Sequence, residues 1–328
     1  MSKSPLLCSR GGFYFRLKFI EESYLYIKMK WLFIAVVLLT LLFVACQRQP
    51  APGNVIDDLG RSVRLDKVPQ RIVSLSPSNT EIVFALGLDD KVVGVTTFCD
   101  YPEAAKAKPK VADFSKVDME RVVSVQPDLI LATNIHKETV IPALERLGIA
   151  VLAVFPETLD KLIADIRLIG EATGKEREAG QLVASMEGQI RTVTGKTGAL
   201  SSADRPMVLH LTWYDPLWTT GSGTMVDNLI TKAGGRNIAS DLTGHKNIDL
   251  ETVIQRNPQV IIVMGGHGEA GDKLYNYVLN EPRLKVTQAV ANQRVYKIDA
   301  DLYARTTPRT VEALEQLARL IHPELFSK

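Results

Sequence analysis

From Met119 to His136 the chain reads Met-Glu-Arg-Val-Val-Ser-Val-Gln-Pro-Asp-Leu-Ile-Leu-Ala-Thr-Asn-Ile-His, and from Leu250 to His267 it reads Leu-Glu-Thr-Val-Ile-Gln-Arg-Asn-Pro-Gln-Val-Ile-Ile-Val-Met-Gly-Gly-His. Glu120 pairs with Glu251, Pro127 with Pro258 and His136 with His267 at one constant offset. Each copy carries apolar residues three and four apart, then a proline, then a short run of Ile, Leu and Val. That pattern predicts a helix, a turn, a buried strand and a loop. A weaker echo joins Ser78-Asn79-Thr80-Glu81-Ile82-Val83 to Ser222-Gly223-Thr224-Met225-Val226. Repeats this long and this few exclude a solenoid. They imply two similar Rossmann-like α/β lobes with a ligand cleft between them.

The chain has 328 residues, 46% of them hydrophobic, which suits a globular protein with a sizeable core. Its charge is uneven: the first 45 residues hold six Lys or Arg and two Glu, leaving 33 basic residues against 35 acidic ones in the remainder. No basic patch or aromatic-basic interleaving points to nucleic acid.

Trp31 to Ala45 is apolar save for Thr40, follows Met29-Lys30 and precedes Cys46. A membrane-spanning helix needs about 20 apolar residues, so the run suits a secretory signal better. Phe43-Val44-Ala45-Cys46 resembles the bacterial lipobox, which makes Cys46 the lipidation site. A membrane anchor is the competing reading, and either one tethers the body outside the cytoplasm. Met29 then reads as the start, with residues 1–28 a mis-annotated extension, 29–45 the signal and 46–53 a proline-containing tether. Cys8 lies in the extension and Cys46 carries lipid, so Cys99 stands alone and the fold rests on its core.

In chain order, Asn54 to Leu65 reads as a hairpin turning at Asp58-Leu59-Gly60-Arg61. Arg71-Ile72-Val73-Ser74-Leu75 is a strand, and Ser76 to Glu81 carries capping residues for a helix stopped by Gly87. Lys91 to Val95 is a strand, followed by a loop to Pro102. After the first repeat come a helix at 137–147 and a strand at 150–155. The N-terminal lobe thus spans 54–156. Residues 157–194 read as one long linking helix with Leu159, Leu162, Ile163, Ile166 and Ile169 on its apolar face, with Gly170, Gly174 and Gly180 as points of bending. The C-terminal lobe, 205–328, contains a strand at 206–213, the helix opened by Ser222, the second repeat, a helix at 272–279, a strand at 295–298 and a final helix at 308–321.

Over residues 54 to about 325 the chain resembles the substrate-binding lipoproteins of ABC importers for cobalamin, ferric siderophores and haem, the cobalamin-binding members among them. The resemblance is carried by Arg71 to Glu81, Asp100-Tyr101-Pro102, both repeats, and Asp301-Leu302-Tyr303-Ala304-Arg305-Thr306-Thr307-Pro308-Arg309. It implies the class III periplasmic-binding-protein fold, in which one long rigid helix joins the lobes. It also implies a monomeric, non-enzymatic carrier that docks on a permease dimer powered by a separate ATPase. One glutamate per lobe would meet the permease, here Glu120 and Glu251. A two-fold permease presents the same pocket twice, and a duplicated protein offers the same carboxylate twice. The plainer reading is two solvated acids in the first turns of helices.

The same resemblance places ligand contacts at Phe98, Phe114, Thr133, Thr212, His245, Asp301 and Arg305, with Trp213, Tyr214, Trp218 and Tyr303 close enough in sequence to wall the same cleft. His136, His245 and His267 fall in loops expected to rim it. A neutral imidazole ligates cobalt or iron well, whereas an exposed rim histidine makes only hydrogen bonds; both readings are open. Aromatic surface with few charges favours a corrinoid over a ferric siderophore or haem, and no resident cofactor is expected. Two rival classes remain. Gly266-His267-Gly268-Glu269-Ala270-Gly271 matches a dinucleotide-binding pattern and raises an NAD-dependent enzyme. The first repeat has no such glycines, and the cofactor is cytosolic. An exported adhesion protein would need no cleft.

Overall fold

The computed structural model describes residues 53–113, 116–265 and 269–327. The signal, Cys46, Phe114 and His267 lie outside the described residues. The two repeats adopt one local structure. Asp118 caps the helix α2 (Met119–Ser124) by accepting the Arg121 N–H at 3.0 Å, and Asp249 caps α7 (Leu250–Arg256) by accepting the Thr252 N–H at 2.7 Å. Both chains then pass through a left-handed residue, Gln126 (φ 45°) or Asn257 (φ 44°), just before the repeated proline. The strands β6 (Leu129–Ala132) and β12 (Val260–Gly265) follow.

The first lobe starts with a hairpin of β1 (Gly53–Ile56) and β2 (Ser62–Leu65). Then come β3 (Ile72–Ser74), α1 (Pro77–Ala85), β4 (Val92–Thr96), β5 (Lys110–Ala112), α2, β6, α3 (Val140–Arg146) and β7 (Ala150–Ala153). The sheet order is β5-β4-β3-β6-β7, all parallel. Its strands are buried on both faces, which is why they read as unbroken apolar runs. Ile72, Leu129 and Leu131 pack into one core, while Val73, Ile130 and Ala132 pack into the other.

The stretch read as one helix over 157–194 is divided. Helix α4 (Leu159–Thr173) ends at Gly174, which takes a left-handed φ of 67°, and the 22-residue α5 (Glu176–Thr197) folds back along it. A Cβ on Gly170 would lie 2.5 Å from the Ala179 Cβ, so glycine is what lets the two helices close at their turn. The long connecting helix is therefore α5 alone. Leu159, Leu162, Ile166 and Ile169 are fully buried on α4, and each such side chain contributes about 1.5–3 kcal/mol.

The second lobe contains β8 (Met207–Tyr214), β9 (Leu217–Thr220), α6 (Met225–Lys232), β10 (Arg236–Asn237), β11 (His245–Asn247), α7, β12, α8 (Glu269–Asn280), β13 (Val295–Asp299), α9 (Ala300–Ala304) and α10 (Thr310–Ile321). Helix α6 is capped by Thr224 rather than by Ser222. The sheet order is β11-β9-β8-β12-β13, with β10 beside the start of β8. Strands β9 and β11 run antiparallel, so the second sheet is mixed where the first is wholly parallel. The β8–β9 hairpin turns at Asp215-Pro216, a dipeptide that signals the missed strand.

The hairpin β1–β2 is tied to the body by buried charge. Asp57 accepts the Ala153 N–H at 3.1 Å and Asp58 accepts the Phe155 N–H at 2.7 Å. Lys161 donates to both Asp58 and Asp165, whose side chains are almost wholly buried. One ammonium thus serves two carboxylates, and Asp165 Oδ2 has no hydrogen-bond partner. Burial, with Asp58 beside it and Lys161 opposing, raises the Asp165 pKa to about 7. A raised folded-state pKa means that stability is full below the unfolded value near 4 and declines as pH rises through about 7. Asp165→Asn is expected to flatten that decline, read as urea midpoints from pH 4 to 8. The variant should be the more stable protein at pH 8, by about 1–2 kcal/mol.

Candidate ligand cleft

The loops that leave the carboxyl ends of β3, β4, β6, β7 and β13 converge, as ligand-binding loops of parallel sheets do. They enclose a cavity of about 530 Å³. Its walls are Leu75 to Ser78, Thr96 with Phe98, Thr133 to Ile135, Val154 to Glu157, and Ala300, Asp301 and Ala304 to Thr306. The first four segments belong to the first lobe. The last is the α9 turn of the second lobe, fixed by Asp299, whose carboxylate accepts the Asp301 and Leu302 N–H groups.

Of the residues expected to contact ligand, Phe98, Thr133, Asp301 and Arg305 line this cavity, and Phe98 is 47% exposed. Thr212, Trp213 and Tyr214 lie at the end of β8 and His245 on β11, outside its wall. Trp213 lies near the carboxyl end of β8, which runs parallel to β12 and so ends on the same edge of the sheet as Gly265 and Asp299, the last paired residues of β12 and β13. Trp213 faces its β9 partner Trp218, both are substantially exposed, and Trp213 stacks on Tyr214 with centroids 5.4 Å apart.

Two expectations are corrected. Tyr303 is 1% exposed and its hydroxyl donates to the Ala313 carbonyl at 3.0 Å, so it is a core residue whose burial raises its pKa. His136 is not a rim residue but is 1% exposed. Its Nδ1 accepts the Thr133 backbone N–H at 3.1 Å, closing the short 3-10 turn that carries Thr133, Asn134 and Ile135 into the cavity wall. Burial lowers the His136 pKa, in keeping with an accepting Nδ1. A further histidine, His210, went unmarked in the sequence. It is fully buried on β8 beside Thr220, at 2.9 Å, and burial, with His245 nearby, pulls its pKa down to about 3.

The charged residues that organise the cleft are partly ones to which sequence assigned no role. Glu81, on α1, is 3% exposed and accepts from Arg309 Nη2 and Nε at 2.7 and 2.8 Å. The Arg309 guanidinium lies 3.8 Å over the Tyr101 ring. Arg305 meets Asp100 at 2.5 Å, Asp301 at 3.0 Å and Glu81 at 3.7 Å. Two arginines of the second lobe thus clamp carboxylates of the first. Glu81, Asp100 and Arg309 stood within the quoted motifs, but the pairing joins residues over 200 positions apart. No sequence spacing encodes it.

Residues 72–302 match the family model for periplasmic binding proteins. The chain is 36% identical over 283 residues to the ABC transporter substrate-binding lipoprotein YvrC of Bacillus subtilis (strain 168), covering 84% of this chain and 88% of that one. It is 30% identical over 252 residues to the vitamin B12-binding protein of Yersinia pestis (strain Pestoides F), covering 76% and 85%. The solved structure of the periplasmic heme-binding protein RhuT from Roseiflexus sp. RS-1 superposes with a TM-score of 0.68 at 29% identity, covering 78% of this chain and 99% of that one. The chain belongs to the periplasmic binding protein family, the substrate-binding proteins of ABC transporters. Such proteins bind and deliver a ligand to a permease and its ATPase; they are not enzymes. The reading of the glycine pattern at 266–271 as part of an NAD-dependent enzyme falls with that, and residues 266–268 lie outside the described residues.

Removing Arg309 takes both hydrogen bonds from the buried Glu81 carboxylate and leaves it only the longer Arg305 contact at 3.7 Å, and breaking a buried pair costs about 3–5 kcal/mol. Arg309→Ala is expected to lower stability by that amount in urea titrations, and Glu81→Gln with Arg309→Met by clearly less.

Proposed function

We propose that this protein captures a corrinoid outside the cytoplasm, where lipid on Cys46 anchors it to a membrane, and delivers it to its permease. The observation that carries this reading is the cavity wall, built from Leu75, Pro77, Phe98, Ile135, Phe155 and Pro156 with few charged groups. Such a wall suits the face or edge of a large, nearly neutral ring. The 30% identity to a protein named for vitamin B12 binding supports it. At about 530 Å³ the cavity holds part of a corrinoid, and the remainder would extend toward Trp213 and Trp218. Among the described residues, His245, exposed on the edge strand β11, is the histidine available for an axial bond to cobalt. Haem is the second reading, favoured by the likeness to RhuT.

Docking falls to Glu120 and Glu251. Each is exposed and occupies the second position of a repeat-related helix, α2 or α7. Glu251 lies 3.9 Å from Arg283, an exposed pair that contributes little.

Spectroscopic titration of the purified protein tests the ligand. Cyanocobalamin is expected to bind saturably and more tightly than haemin or a ferric siderophore, and a shifted corrin band that His245→Ala removes would mark axial ligation. Haemin binding with a sharpened Soret band, and none by cyanocobalamin, would sink the corrinoid reading. Separately, Glu120→Ala with Glu251→Ala is expected to abolish uptake in cells while ligand affinity stays within about twofold. Loss of binding would mean that these acids are not the docking face.

A further inference from the structure

Arg305 is the only cationic side chain on the cavity wall among the described residues. It is already held by Asp100 at 2.5 Å and Asp301 at 3.0 Å, and its side chain is only 12% exposed. Arg309, which shares Glu81 with Arg305, is itself paired to that carboxylate at 2.7 Å. Across the way, Glu157 is an exposed carboxylate on the wall, at the junction of β7 and α4. Three carboxylates, on Glu81, Asp100 and Asp301, pair with the two guanidinium groups, and Glu157 adds a fourth carboxylate on the cavity wall, so among these described residues acids outnumber bases. The amino end of α1, with Ser76 and Ser78 on the wall, adds roughly half a positive charge, too little to offset that excess.

We propose that the cleft selects its ligand by charge, admitting uncharged or cationic chelates and rejecting those with exposed carboxylates, with Glu157 and Asp301 as the determinants. This rests on the cavity being the ligand site and narrows the class it takes. Asp301 does so by occupying Arg305, which otherwise would be the natural partner of a ligand anion. Glu157 does so by its own field at the mouth, where low-dielectric walls on the first lobe side strengthen it.

The test uses ligands of one shape that differ in charge: cyanocobalamin against its monocarboxylic acid derivatives, and an iron porphyrin dicarboxylate against its dimethyl ester, each titrated into the full chain at low and high salt. The uncharged partner is expected to bind about fivefold tighter for each carboxylate removed, a gap that narrows as salt screens it. Glu157→Gln and Asp301→Asn are each expected to narrow the gap at low salt. Equal or tighter binding of the acids, or a gap indifferent to salt and to both substitutions, would overturn the proposal. If only the porphyrin pair binds and shows the gap, charge selection stands and the corrinoid reading falls. Binding by neither series overturns both.

Discussion

The burial of Glu81 sets the terms for the whole cleft. A carboxylate 3% exposed persists only where cationic hydrogen-bond donors replace the water it has lost. Arg309 supplies a two-point contact and Arg305 a longer one, and both arginines come from the second lobe. The demand of one buried charge therefore fixes where the α9–α10 corner sits against α1. The same arrangement brings Asp301 and Arg305 to the cavity wall, so lobe packing and site geometry share their residues.

Duplication explains the architecture, and divergence explains the function. The two repeats keep an aspartate cap, an exposed glutamate, a left-handed residue and a proline in register. Those features belong to the outer helices, where Glu120 and Glu251 present matched acids. Away from them the lobes part. The first keeps an all-parallel sheet and supplies most of the cavity wall, while the second keeps β10 and β12 parallel to β8 and adds the antiparallel β9 on its other side, with β11 beyond it. That change adds the hairpin bearing Trp213 and Trp218. The repeat helices stayed alike while the strands and loops around them diverged.

The histidines show how position alone misleads. His136 and His245 stand in comparable loop contexts in the sequence, yet one is a buried turn staple and the other an exposed edge residue. His136 accepts a backbone N–H because the 3-10 turn brings Thr133 over its ring, an arrangement set by how tightly the chain curls after β6. Its contribution to the site is indirect, through the shape of the wall.

By itself the sequence determined the two-lobed α/β plan, most of the strands, the capped helices and the repeat, because these follow from short-range rules: short apolar runs, helical spacing, capping and proline. It also marked Phe98, Thr133, Asp301 and Arg305, through the resemblance rather than through spacing. Tertiary structure decided the rest. Gly174 breaks the linking stretch because α4 and α5 gain burial by packing together, which helical periodicity alone does not reveal. Tyr303 turns inward to the Ala313 carbonyl, and Glu81 meets Arg309 across more than 200 residues. These outcomes depend on which surfaces meet and which charges lose water, and only the folded chain settles that.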